Sequence, residues 1–336
     1  MAAWGAGLKS GAGRAGFLVF LALLLGGAVL ASLSVGALKL SPMEILSTLW
    51  NRPGGVNDQI LFNIRLPRIL LGALVGGCFA VSGAILQGVM RNPLASPGII
   101  GVSAGGGLAG ILVLLAFPQF GFLLVPAAFC GAMATAVMVY LLAWKRGVSP
   151  VRLILAGVAV SAMLGAFSST VLLFNAERAG GILDFSIGSL SARSWGQIEQ
   201  VGWYMAFAFL CAFSLGGKLN ILALGDEVAI GLGLRVERVR FLLIGTAALL
   251  AASAVSVAGL LGFVGLIAPH IVRMMIGADN RFLLPASALF GAFLVVSCDT
   301  VGRIVMEPSE LPVGIIMALL GPPFFLWLLR RHHYER

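Results

Sequence analysis

"FLLIGTAALLAASAVSVAGLLGFVGLIAPHIV", Phe241 to Val272, runs for 32 residues without a charged side chain. As one helix it would be about 48 Å long, well beyond a hydrocarbon core of about 30 Å. Gly259 and Gly262 offer a break. The stretch therefore reads as two membrane spans, the second ending near Ile276.

The same pattern extends in both directions. Uncharged runs long enough to cross a bilayer occupy residues 17–38, 69–90, 98–117, 121–144, 153–174, 201–217, 282–302 and 312–329. With the divided stretch they make ten spans. Composition agrees: 60% of the chain is hydrophobic and only 10% charged, where a soluble domain has roughly a quarter charged residues. The 45 glycines suit helices whose backbones approach closely in lipid. A membrane β-barrel would show short alternating segments instead. The fold class is an all-α polytopic membrane protein.

The four cysteines, Cys78, Cys130, Cys211 and Cys298, stand far apart in apolar runs with no CxxC pair, and read as small buried hydrophobes. Lys9 and Arg14 precede an apolar run too long for a signal-peptide core, so residues 17–38 read as a retained first span. With a cytoplasmic N-terminus, 15 of the 22 Lys and Arg fall on inner loops and ends and 7 outside. The positive-inside rule favours that orientation, with both termini cytoplasmic. Trp144, Trp203 and Trp327 fall near span ends, where interfacial tryptophans belong. The net charge of +9 follows from the inner excess and does not call for nucleic acid.

The whole chain, 1–336, reads as one transmembrane domain. Its parts are the first span 17–38, an outer linker 39–68, spans two to six within 69–217, an inner loop 218–240, and spans seven to ten within 241–329. In the linker an amphipathic helix is expected after Ser41-Pro42, with Met43, Ile45, Leu46 and Leu49 on one side. Spans two to five and seven to ten run in opposite senses, the topology of an inverted repeat.

Between two spans on the inner side stands "RNPLASPGIIG", Arg91 to Gly101. Asn-Pro favours a turn, and each proline pushes its predecessor out of helical geometry. On these letters alone it is a hairpin connector. The inner loop holds "LNILALGDEVAIGLGLRVERVR", Leu219 to Arg240, whose apolar residues suit either a groove on a partner or the inner leaflet. Outside, "RLPR" sets Arg65 and Arg68 just before a span, unhelped by the helix dipole. They suit a partner's carboxylates or lipid headgroups about equally.

The chain has no GxxxxGK[ST], no HExxH and no paired intramembrane carboxylates. It is therefore not expected to bind ATP in the P-loop manner or to be an enzyme, and no metal or cofactor site is expected. An ion-coupled transporter should bury ionisable groups. Only Asp299 comes close, four residues before Arg303, where it reads as that arginine's helix-end partner. Energy would then come from a separate ATPase.

Six segments carry a resemblance: "RLPR", "SGAILQGVMRNPLASPGIIGVSAG", "LILAGVAV", "LALGDEVAIGLG", "GFVGLIAPHIVR" and "ELPVGIIMALLGPPFFLWLL". In this order and spacing, from about residue 40 to 331, the chain resembles the FecCD-type permease subunits of type II ABC importers for iron chelates and cobalamin. The resemblance implies ten helices per subunit in a homodimer in the bacterial cytoplasmic (inner) membrane. It also implies two cytoplasmic ATPases, which hold ATP and Mg, and one extracytoplasmic binding protein. Carried onto this sequence, Arg65, Arg68 and Arg303 would dock the binding protein. Asn92, Pro93 and Leu94 would form the cytoplasmic gate, and Gly225, Asp226, Glu227, Ala229, Gly231 and Leu232 would sit on the ATPase. Arg178, just outside span five, would meet an anionic chelate or else be a solvated loop charge. The commoner family substrate favours a ferric siderophore or haem over cobalamin.

Overall fold

Several helices in this chain start where a polar cap precedes an apolar run. The computed structural model describes residues 10–36, 40–52, 54–145, 147–175, 177, 180, 182–307 and 309–332. Ser10 accepts from the Gly13 N–H at 3.1 Å and opens α1, Gly11–Ser34. Ser41 and Glu44 form a reciprocal capping box at the start of α2, Pro42–Asn51, which satisfies two otherwise orphan N–H groups. These hydrogen bonds also hold the Glu44 carboxyl below its ordinary value, the Ser41 backbone N–H contributing most.

A short π-helical segment, Ile60–Arg65, leads into α3, Leu66–Met90. There follow α4, Val102–Ala116, α5, Leu124–Ala143, and α6, Pro150–Phe174. Beyond them come α7, Trp195–Ala223, the short α8, Asp226–Gly231, and α9, Val236–Ala258. The chain closes with α10, Val264–Ile276, α11, Asn280–Val305, and α12, Val313–His332. Apart from α2 and α8, these helices correspond one to one with the ten expected spans. Among the described residues seven are long and apolar enough to cross alone, while α4, α10 and the apolar part of α12 are shorter.

The long uncharged stretch breaks at its glycines. Gly259 takes φ +74° and ends α9. The freed backbone groups are satisfied by a neighbouring segment: Leu260 N–H donates to Phe185 O at 3.1 Å, and Ser189 N–H to Ala258 O at 2.9 Å. Irregular backbone at membrane depth is tolerated where protein buries it, as here. Phe263 follows in the left-handed region at φ +65°, uncommon for a bulky side chain. Its ring occupies the space that a Cβ on Gly321 would need.

The centre of the bundle is α3, packed on α11, α9, α10 and α7. Of its most apolar window 83% is buried, against 17% for α6. Two glycine pairs permit this. A Cβ on Gly76 would lie 2.2 Å from Gly291 O, and one on Gly83 would lie 1.9 Å from Gly265 O. Backbones touch there, so only glycine fits.

Several expectations shift. α1 spans 11–34 rather than 17–38, because Ser10 supplies an N-terminal cap. α7 continues to Ala223, so the inner loop contracts from 218–240 to the stretch between α7 and α9. On α2 only Ile45 and Thr48 are buried, while Met43 and Leu46 are exposed and the Leu49 side chain lies outside the description. The helix meets the bundle along one narrow line at Ile45 and Thr48. Cys78 and Cys298 are buried, but Cys130 is exposed, since it stands on the open flank of α5, where a thiol is apolar enough to face lipid. Trp144 is half exposed at the end of α5, and Trp203 is exposed near the start of α7. The Trp327 side chain lies outside the described residues.

Candidate functional site

The connectors collect at two ends. One end joins α1 to α11 and to the start of α3, and α3 to α11 and the connector before α12, through the arginines read as docking residues. Arg68 lies in the first turn of α3, where its Nε and Nη2 donate to Asp299 at 3.0 and 2.9 Å, and its Nη1 to Glu310 at 2.7 Å. Arg303 donates to the carbonyls of Ser32 and Val35 at 3.1 and 3.2 Å and to the Ser32 hydroxyl. Its Nε stands 3.5 Å from Asp299. Arg65 donates to Leu33 O.

All three arginines are thus brought together, but not as exposed charges: they are only 5–8% exposed. The last carbonyls of α1 lack helical partners and carry the negative end of its dipole. Arg65 and Arg303 satisfy them, and this balances a cluster of three guanidiniums against two carboxylates. Asp299 pairs with Arg303 as its i, i+4 spacing suggested, and more closely with Arg68 in bidentate geometry.

At the opposite end α3 stops in a Schellman motif, with Asn92 N–H donating to Gln87 O at 3.1 Å and Arg91 N–H to Gly88 O at 3.3 Å. Arg91 takes the left-handed position at φ +50°. The Asn92 side chain accepts from Leu94 N–H at 2.9 Å, an Asx turn. This fixes Leu94 outward at 58% exposure, beside exposed Pro93.

Next to this turn lies α8. Gly225 takes φ +113°, and a Cβ on it would meet Arg91 Nη1 at 3.2 Å. Asp226 accepts twice from Arg240 at 2.8 Å, and Ala229 is fully buried. Ala229 is therefore not displayed, contrary to the expected contact surface, whereas the Asp226 side chain stays 43% exposed while paired. The face presented outward consists of Leu224, Val228, Ile230 and Leu232, with Glu227 and Gly231 exposed beside it. Of these apolar residues sequence reading singled out only Leu232. The i, i+2 placement of Val228 and Ile230 around buried Ala229 carries no helical signature in so short an element.

The same end is tied by Asp279, the cap of α11. It accepts from Arg14 at 3.0 Å, Asn220 at 2.7 Å and Arg281 N–H at 3.1 Å. Burial raises its pKa, but the hydrogen bonds from Asn220 and Arg281 and the Arg14 charge outweigh it and leave it below the ordinary value. The tie is present at neutral pH and is lost as pH falls through that lowered value. Arg178 lies outside the described residues. Among the described residues no group of His, Cys, Asp and Glu could hold a metal.

The model of the FecCD transport family matches residues 21–331. The chain is 41% identical over 300 residues to the Fe(3+)-citrate import system permease of Bacillus subtilis, covering 89% of this chain and 90% of that one. It is 39% identical over 333 residues to the hemin transport system permease of Yersinia pestis, covering 96% of each. It is 43% identical over 273 residues to the cobalamin import system permease of Halobacterium salinarum, covering 81% and 73%. A solved structure of a metal-chelate type ABC transporter in an inward-facing conformation is 33% identical with a TM-score of 0.83, covering 94% of this chain and 98% of that one.

Proposed function

From the premise that this chain belongs to the FecCD transport family, we propose that two copies of it form the translocation pathway for an iron chelate, a ferric siderophore or haem. It is an integral membrane permease subunit of an ABC importer and not itself an enzyme. Such a permease works with an ATPase and a binding protein. In our reading two ATPases sit under the α8 end, one binding protein sits over the arginine end, and both termini are cytoplasmic in a bacterial inner membrane. The inner excess of Lys and Arg supports the orientation.

The match across almost the whole chain carries this reading. Relatives named for iron-citrate and hemin import favour iron, while the cobalamin relative keeps that vitamin as the second reading. Asn92, Pro93 and Leu94 close the pathway at the cytoplasmic end, and α8 transmits ATPase movement. Proteoliposomes holding the permease, its ATPase and its binding protein should take up labelled ferric siderophore or haemin only with internal ATP. Uptake driven by an ion gradient without ATP would refute the reading. A binding protein that prefers cobalamin to both iron ligands would transfer the assignment to cobalamin.

A further inference from the structure

Beside the Asn92 turn, the ends of α3, α7 and α10 and the start of α11 enclose a pocket of about 270 Å³. This is below the range of roughly 300–1,000 Å³ usual for small-molecule ligands, so it suits a single charged group and not a nucleotide. Arg91 lines it from the turn, and Arg273 from the last turn of α10. Among the described residues no aspartate or glutamate lines it.

The fold leaves both positive charges unanswered. Arg273 donates Nη1 to the uncharged Gln87 Oε1 at 2.8 Å. Gln87 is held in turn, its Nε2 donating to Gly265 O at 3.3 Å, so Arg273 is steered but not neutralised. Its Nε and Nη2 have no partner among the described residues and are not sealed from solvent. Arg91 is exposed, and its side chain makes no hydrogen bond or ion pair among the described residues. The neighbouring carboxylates are committed, Asp279 to Arg14 and Asn220, and Asp226 to Arg240. Two guanidiniums on one small pocket without a counter-charge suit one carboxylate, which arginine binds in charge-assisted, often bidentate geometry.

The surroundings of the pocket indicate where that carboxylate comes from. Ala223 lines it and is followed directly by Leu224, the first residue of the apolar face displayed around α8. Arg91 Nη1 reaches toward Gly225, the cap of α8. A protein seated on that face lies against the pocket as well. Resting on the reading that an ATPase sits under the α8 end, we propose that one Asp or Glu side chain of the ATPase enters this pocket and pairs with Arg91 and Arg273. Asn92 and Pro93 belong to the same wall, so the carboxylate bears directly on the turn that carries Leu94. ATPase movement then reaches that turn through a contact separate from α8.

The test is the affinity of the purified ATPase for the purified permease. Arg91→Asn removes one charge with a residue that accepts the left-handed backbone, and Arg273→Gln removes the other. Each should weaken binding about tenfold at low ionic strength, the loss of one charge-assisted hydrogen bond, and the difference should shrink in high salt. Arg91 is exposed, so Arg91→Asn should melt like wild type and keeps the test decisive even if Arg273→Gln misfolds. Binding lost in Arg91→Glu should return when one ATPase carboxylate is exchanged for lysine, which identifies the partner residue. Wild-type affinity of Arg91→Asn at low salt overturns the proposal. Inorganic phosphate that stays in the pocket of the assembled importer makes it a free-anion site and overturns it equally. Ile230→Asp separates this inference from the reading beneath it. If that change weakens binding and the arginine variants do not, α8 docks the ATPase and the pocket contact alone fails. If wild-type permease binds no ATPase, the reading itself fails and the pocket contact with it.

Discussion

Asp299 answers two buried arginines at once, and that makes it the most consequential single residue at its end of the molecule. Removing its charge leaves Arg68 with Glu310 alone and Arg303 with carbonyls. Breaking a buried pair in this way costs about 3–5 kcal/mol. Asp299→Asn should therefore lower the melting temperature and yield of the purified permease. Glu310 differs: its side chain is 41% exposed, and Glu310→Gln should change stability by only about 0.5 kcal/mol. It makes the cluster more positive, so an acidic binding protein should associate faster at low ionic strength, with the difference fading in high salt. Rates that do not respond to Glu310→Gln would assign the arginines to holding α1 rather than to docking. The i, i+4 spacing of Asp299 and Arg303 was visible in the sequence. The stronger partner, Arg68, was not, because nothing local marks a contact 231 residues away.

Among the elements, α8 separates display from support. Ile230→Asp and Val228→Asp place charge on side chains that are already exposed, so the fold should hold while ATPase binding and coupled hydrolysis fall. Ala229→Leu overfills a fully buried position and should cost about 1–3 kcal/mol in stability. Thermal melting alongside ATPase co-purification distinguishes the two classes, and the assignment of α8 fails if the aspartate variants still bind the ATPase at wild-type strength. Span number was legible throughout, because apolar length is a property of consecutive residues. The ends were not. Ser10 extends α1 toward the N-terminus, and α7 carries Lys218 and Asn220 as helix, since a long side chain at a span end reaches the interface without ending the helix. The break after α9 was readable from Gly259, but the segment that satisfies its backbone, around Phe185, comes from another part of the chain.

At the scale of the whole molecule the proposed homodimer places Leu94 against its copy. The Asn92 side chain clamps the Leu94 N–H and leaves the leucine projecting. With Cys78, Cys130, Cys211 and Cys298 replaced, Leu94→Cys should cross-link two subunits in the closed state, and Leu94→Ala should raise leak through empty importers. The turn is only a connector if cross-linking and leak are both absent. Its conformation was partly legible, since Asn-Pro announces a turn, but the left-handed Arg91 at its start was not, because glycine or asparagine usually takes that place.

The paired glycines beneath this end have a mechanical consequence. Where Gly76 meets Gly291 and Gly83 meets Gly265, neither helix can slide past the other without backbone colliding with backbone. α3, α10 and α11 are keyed together as a stator. Sparsely buried α6, wedged at Gly157 against Ile99, has no such key along most of its length. Relative movement of helices within the subunit is then easier at α6 than among these three.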